Sequence, residues 1–184
     1  NNETGFCVKT KDNSEYLCGA VVLSIGRNGN PRLLNIKGEK ADHVHHMLLH
    51  PKGYENKKIM VVGGGNSALE AACSLADHGA CVSISYRQKG FFSATPVNKQ
   101  EMAHHIKAGT ITPYFSSQVK EISPQVLKLQ TKNKSQDVSI DEVFVLIGAE
   151  PPKKLLSDLD IGFENSWSIK RCLFLCASFL AVWM

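Results

Sequence analysis

Residues 57–86 constrain this chain most. Lys57-Lys58 leads into Ile59-Met60-Val61-Val62, a short apolar run of the type buried on both faces of a parallel sheet. Gly63-Gly64-Gly65-Asn66-Ser67-Ala68 follows as a glycine turn. Residues 67–78 read as a helix with Leu69, Ala72, Cys73 and Ala76 on one face, stopped by Gly79. Cys81-Val82-Ser83-Ile84-Ser85-Tyr86 is a second strand. Strand, turn, helix and strand in about thirty residues make a βαβ unit, which should be right-handed.

The turn carries chemistry at Gly63-x-Gly65-x-x-Ala68. A dinucleotide pyrophosphate needs a tight exit from the strand, which Gly63 allows. It needs close approach of the backbone, which Gly65 permits by lacking a Cβ, and a helix held near the sheet by Ala68. The helix start then offers free N–H groups and a positive dipole end to the anion. Gly64 and Asn66 complete the loop, and Ser67 can add a hydroxyl donor. The competing reading is a tight βα turn with no ligand.

The end of the second strand selects the nucleotide. An acidic residue there would hold the ribose hydroxyls of NADH, but the chain reads Tyr86-Arg87-Gln88-Lys89. A guanidinium can hold a 2′-phosphate through charge-assisted bonds, with Tyr86 offering a face or a hydroxyl nearby. NADPH is therefore expected over NADH, with Arg87 and Lys89 as its contacts. The alternative for both cations is a solvated loop.

Around this unit the elements are shorter. Residues 6–9 and 15–25 read as strands, and 37–58 as a polar connection with a short helix at 41–49. Beyond Tyr86, a loop is expected at 87–97 and a helix at 98–108, stopped by Gly109. Strands are expected at 110–116, 119–122, 125–131 and 141–147, with Gly148 to Pro152 ending the last. Apolar residues are 43% of the 184 and charged residues 21%, which excludes general disorder. The net charge of +4 is dispersed, so no nucleic-acid partner is expected.

None of the six cysteines forms a C-x-x-C pair. A hairpin at 11–14 would bring Cys7 opposite Cys18, but free thiols in a reducing cytoplasm are the simpler expectation. His43, His45, His46 and His50, with His104 and His105, carry no zinc-type pattern, although His46 and His50 are four apart. A solvated linker is expected and no metal site. Phe91-Phe92 reads as a loop anchor. Cys172 to Met184 is apolar apart from Ser178, yet shorter than the roughly twenty residues of a bilayer span. If the chain continues, this tail can begin a membrane helix with Lys170 and Arg171 on the cytoplasmic side. Otherwise it packs on the body or is a frameshifted end.

These residues resemble the nucleotide domain of the thioredoxin-reductase-like flavoproteins, in the pyridine nucleotide–disulfide oxidoreductase superfamily. In that family the domain is inserted into an FAD domain, and each crossing is an apolar strand ending in a T-G or I-G step. Val21 to Gly26 and Val143 to Pro151 fit those marks. The resemblance covers about residues 6–162. It implies an α/β fold, with a Rossmann-like NAD(P)-binding domain (53–150) inserted in a partial FAD-binding domain (1–52 and 151–184).

The resemblance further implies hydride transfer from NADPH to FAD and on to an external, unidentified electron acceptor. Gly148 would leave room for the nucleotide, and Glu70 would orient the nicotinamide side or be an exposed helix carboxylate. A homodimer is implied for the full-length protein. No FAD-type glycine turn precedes residue 57 and no G-D follows 150, so the chain resembles a central fragment that would not hold FAD alone. The family's C-x-x-C is replaced by His43 to His50. With Gly29-Asn30-Pro31-Arg32, this is more similar to the bacillithiol-disulfide-reductase-like or ferredoxin-reductase-like branch. Two other functions stay open. One is a nucleotide-sensing module without catalysis, perhaps membrane-tethered. The other is a flavin-free dehydrogenase, which would need a Tyr-x-x-x-Lys or histidine relay that is not evident.

Overall fold

The computed structural model describes residues 5–26, 29–132 and 134–161. The expected βαβ unit forms as β4 (Lys58–Val62), α1 (Asn66–Asp77) and β5 (Cys81–Tyr86), preceded by β1 (Phe6–Lys9), β2 (Glu15–Cys18) and β3 (Val44–His45). It is followed by α2 (Pro96–Ala108), β6 (Ile111–Phe115), β7 (Ser117–Ile122), β8 (Val126–Thr131), β9 (Ser135–Ser139), β10 (Glu142–Val145) and α3 (Lys153–Asp158). A five-stranded parallel sheet runs β3-β10-β4-β5-β6, while β7-β8-β9 form an antiparallel meander and β1-β2 a hairpin.

The sheet is covered on both faces, which is why its strands are apolar without alternation. Ile59, Val61, Ile84 and Phe144 face α1 and α2, packing with Leu69, Leu75 and Met102. Met60, Val62, Val143 and Val145 face the meander, against Val119, Leu127 and Leu129. Helix α1 stops at Gly79, in the left-handed region at φ +81°. Helix α2 begins two residues earlier than expected, because Thr95 caps it and accepts from the Asn98 N–H at 3.5 Å, with Pro96 in its first turn.

Several expectations are corrected. The strand read at 15–25 stops at Cys18; among the described residues 19–26 has no ladder, and Val22 is 89% exposed. The short helix at 41–49 is absent. Turns lead instead into β3, which pairs Val44 with Val143 on the sheet edge. Strand β9 and helix α3 were not anticipated. In the β1-β2 register Cys7 lies opposite Leu17 and Cys18 opposite Phe6, so the two thiols do not face each other and both are free. The run 172–184, with Cys172 and Cys176, lies outside the described residues. Among those described, no helix is long and apolar enough to cross a membrane.

The histidine segment is no solvated linker. His43, His45 and His46 are half-buried. Glu142 accepts from His45 Nε2 at 2.8 Å and from Lys57 Nζ at 2.7 Å. Burial pushes its carboxyl upward, but the Lys57 and His45 hydrogen bonds outweigh this and hold it below its ordinary 4.5. A depressed folded-state value stabilises the protein above pH 4.5, and that contribution disappears as pH falls through the lowered value. Glu142→Gln should therefore cost about 1.5 kcal/mol at neutral pH. In paired thermal melts, its gap from wild type should close under acid; a gap constant at every pH would contradict the ion pair.

Candidate functional site

Strand order reverses between β10 and β4, so a crevice opens at their carboxyl ends. The glycine turn lies there. The Gly63 N–H donates to Ser85 O at 3.0 Å, and the Leu146 N–H donates to Val62 O at 2.8 Å. Gly63 has φ +149°, and a Cβ on it would strike the Leu146 carbonyl oxygen. A Cβ on Gly64 would enter the Tyr86 ring. Gly65 differs, since a Cβ there would meet nothing within 4 Å. The two inner glycines are demanded by the fold, whereas the outer one faces open space.

Gly65 is also the N-cap of α1 and supplies no side-chain cap. Its carbonyl accepts from the Ala68 and Leu69 N–H groups, both at 3.1 Å. The helix start thus faces the crevice with backbone donors and a positive dipole end. Ser67 is exposed beside it, and Ala68 is fully buried against the sheet.

Asn66 and Glu70 point to a neighbour absent from the sequence reading. Asn66 Oδ1 accepts from the Thr95 N–H at 2.8 Å and from Asn98 Nδ2 at 3.2 Å, and Asn98 Nδ2 also donates to Glu70 Oε1 at 2.7 Å. These bonds tie the start of α1 to the start of α2. The Thr95-Pro96 cap was the local signal for that junction.

Tyr86 lies over Gly64 and stacks on Phe91, with ring centroids 5.8 Å apart and planes 20° apart. Phe91 also meets Phe115 edge-on, so it anchors the loop, while Phe92 is exposed. Just beyond, Arg87 and Lys89 are exposed and line a cleft of about 720 Å³. Lys132, Gln118 and Gln130 also line it, and the lining contains no carboxylate. Lys132 comes from the turn between β8 and β9 of the meander, a contribution that only the fold reveals. The Ser116 N–H donates to Gln88 O at 2.9 Å and fixes the cleft's floor. Gly148, at φ +96°, is exposed on the loop after β10, and its carbonyl accepts from the Arg32 N–H at 3.0 Å. Another cleft, about 440 Å³, opens at the amino ends of β4 and β5, away from the turn.

A parallel sheet whose switch point holds a bare glycine turn and a helix start defines a Rossmann-type nucleotide-binding fold. The family model of the pyridine nucleotide-disulphide oxidoreductases matches residues 1–170, and the chain belongs to that family. A ferredoxin–NADP reductase of Ignicoccus hospitalis is 32% identical over 149 residues, 78% of this chain and 47% of that protein. Bacilliredoxin reductase of Bacillus subtilis is 25% identical over 162 residues, 87% of this chain and 50% of its own. Among solved structures, the bacillithiol disulfide reductase of Bacillus cereus superposes with a TM-score of 0.74 at 28% identity, covering 85% of this chain and 50% of that one. The chain thus spans about half the length of the curated relatives it matches.

Proposed function

We propose that this chain is the nucleotide-binding part of an NADPH-dependent flavoprotein oxidoreductase that passes electrons to an external acceptor. The observation carrying this reading is the pairing of the open face at Gly65 with the carboxylate-free cleft of Arg87, Lys89 and Lys132. The first suits a pyrophosphate. The second suits a 2′-phosphate, since NADPH differs from NADH by that dianion alone. In this reading Gly63 to Ala68 hold the pyrophosphate, Tyr86 borders the adenosine side, and Gly148 leaves room at the strand ends. Glu70, already bound by Asn98, sits on the nicotinamide side.

Residues 53–150 hold most of the nucleotide domain in this proposal, joined by β3 from within 1–52, and the rest of 1–52 and 151–184 belong to a flavin domain. The antiparallel bridge of Pro31 with Ala149 supports that division, because the chain enters and leaves at one place. So do the exposed apolar residues 17–25, which suit coverage by further protein. FAD, when bound, supplies the two-electron relay between NADPH and the acceptor. Among the described residues there is a single dinucleotide turn, and its cationic rim suits NADPH rather than FAD. Free Cys7 and Cys18 suit a reducing cytoplasm.

Calorimetry on the full chain tests this. NADPH should bind more tightly than NADH, and Arg87→Ala should weaken NADPH by about tenfold or more while leaving NADH unchanged. Equal affinities for the two in wild type would remove the 2′-phosphate assignment. No heat at millimolar NADPH from a folded sample would remove the nucleotide site itself.

A further inference from the structure

Two helices that flank the sheet bring an unassigned set of ligating atoms together. Cys73 and Asp77 stand four apart on α1, and Glu101 and His105 stand four apart on α2. Ligand atoms of Cys73, Glu101 and His105 all lie within 4.8 Å of one another. Asp77 Oδ1 is 3.6 Å from His105 Nε2. Both helices follow parallel strands and run the same way, so both direct their negative ends toward this cluster.

The imidazole is already set as a ligand. The Thr110 hydroxyl lies 3.1 Å from the His105 carbonyl oxygen and 2.9 Å from His105 Nδ1, so when it donates to the carbonyl its oxygen accepts from Nδ1. That tautomer carries its proton on Nδ1. In the neutral ring, Nε2 then presents a lone pair toward a thiol and two carboxylates. His105 and Cys73 are 8% and 2% exposed. A divalent cation placed among them would take up that lone pair, the thiol sulfur and the carboxylate together.

We propose that Cys73, Glu101 and His105 bind one zinc-class divalent cation that clamps α1 to α2, with the fourth position filled by water or by Asp77, which lies beside His105. Thiolate, imidazole and carboxylate together select zinc or cobalt over magnesium and calcium. The site lies about 10 Å along α1 from the glycine turn, so it is separate from the nucleotide site. On binding, the Cys73 thiol loses its proton to solvent as the sulfur–metal bond forms. Burial, then Glu101 and Asp77, push that thiol up to about 12, so it stays protonated until a metal arrives.

Cobalt(II) added to the full chain is the probe. One equivalent should give a thiolate-to-cobalt charge-transfer band and the intense d–d bands of four-coordination, both displaced by zinc. Zinc should raise the unfolding temperature of wild type and leave that of Cys73→Ser unmoved. Glu101→Gln, altered at an exposed position, should bind roughly tenfold or more weakly, as should Thr110→Val, which frees the ring. A folded sample with no charge-transfer band at millimolar cobalt overturns the site. So does a band that persists in Cys73→Ser, which would assign it to other thiols, or an affinity unchanged by Glu101→Gln. Cobalt bound through His43, His45 or His46 would show no thiolate band and counts against it too.

Discussion

Gly65→Val should cost the folded protein no more than about 1 kcal/mol and abolish most of its NADPH binding. Gly63→Ala should do the reverse in kind, destabilising the fold before any ligand is added. At 65 the backbone is extended on the negative-φ side, at φ −91°, and a side chain would meet nothing within 4 Å. No atom of the fold opposes the side chain, and the poorer N-cap costs only about 1 kcal/mol, so a loss of binding comes from what approaches that face. A branched side chain would displace a phosphate by an ångström or more, which costs on the order of a hundredfold in affinity. At 63 the backbone sits at φ +149°, and a Cβ would strike a peptide carbonyl that cannot swing away. Strain and overlap together should cost about 3 kcal/mol. Paired urea melts and NADPH titrations separate the two effects. Full NADPH affinity in Gly65→Val would mean that the turn is only a turn.

The βαβ unit was legible because its signals are local. Ile59 to Val62 is apolar on both faces, Gly63 to Gly65 excludes regular structure, and Gly79 ends α1 where the pattern stops. What escaped the sequence depends on distant partners. Strand β9 reads Ser-Gln-Asp-Val-Ser, with only Gln136 and Val138 half-buried, and exists by pairing with β8. Val44, Met47 and Leu48 are spaced as on a helix. Yet Val44 and His45 are drawn to β10, about a hundred residues away, as the edge of the parallel sheet. Val21 to Ile25 has strand composition but no neighbouring backbone among the described residues, and composition alone cannot supply a ladder.

The site divides in the same way. The phosphate turn is contiguous in the chain, and its glycines show which backbone must be bare. Arg87 and Lys89 follow from the end of a strand. Lys132 joins them only because the meander folds back, and Asn98 reaches Glu70 only because α2 starts beside α1. Charge held by one loop can be read from sequence, whereas charge assembled across three elements cannot.

Phe144→Ala should be the most destabilising single truncation in the sheet, at about 4 kcal/mol. Phe144 is 0% exposed and turns toward α1 and α2, while its neighbours Val143 and Val145 turn toward the meander. Its ring meets His45 at 5.1 Å and Tyr54 edge-on at 5.2 Å, so it also holds the segment before β4 against the sheet. Truncation leaves a void bordered by a rigid sheet and two helices, which cannot all relax inward. Against a total stability of roughly 5–15 kcal/mol, this loss is large. Phe144→Leu should recover most of it, because the helices need volume there more than aromaticity. The backbone ladder of β10 with β4 lies apart from the ring, so the folded fraction of Phe144→Ala should still bind NADPH with wild-type affinity. Urea midpoints should fall with the slope unchanged. A cost below about 1 kcal/mol would place Phe144 at a surface, incompatible with β10 in the sheet interior.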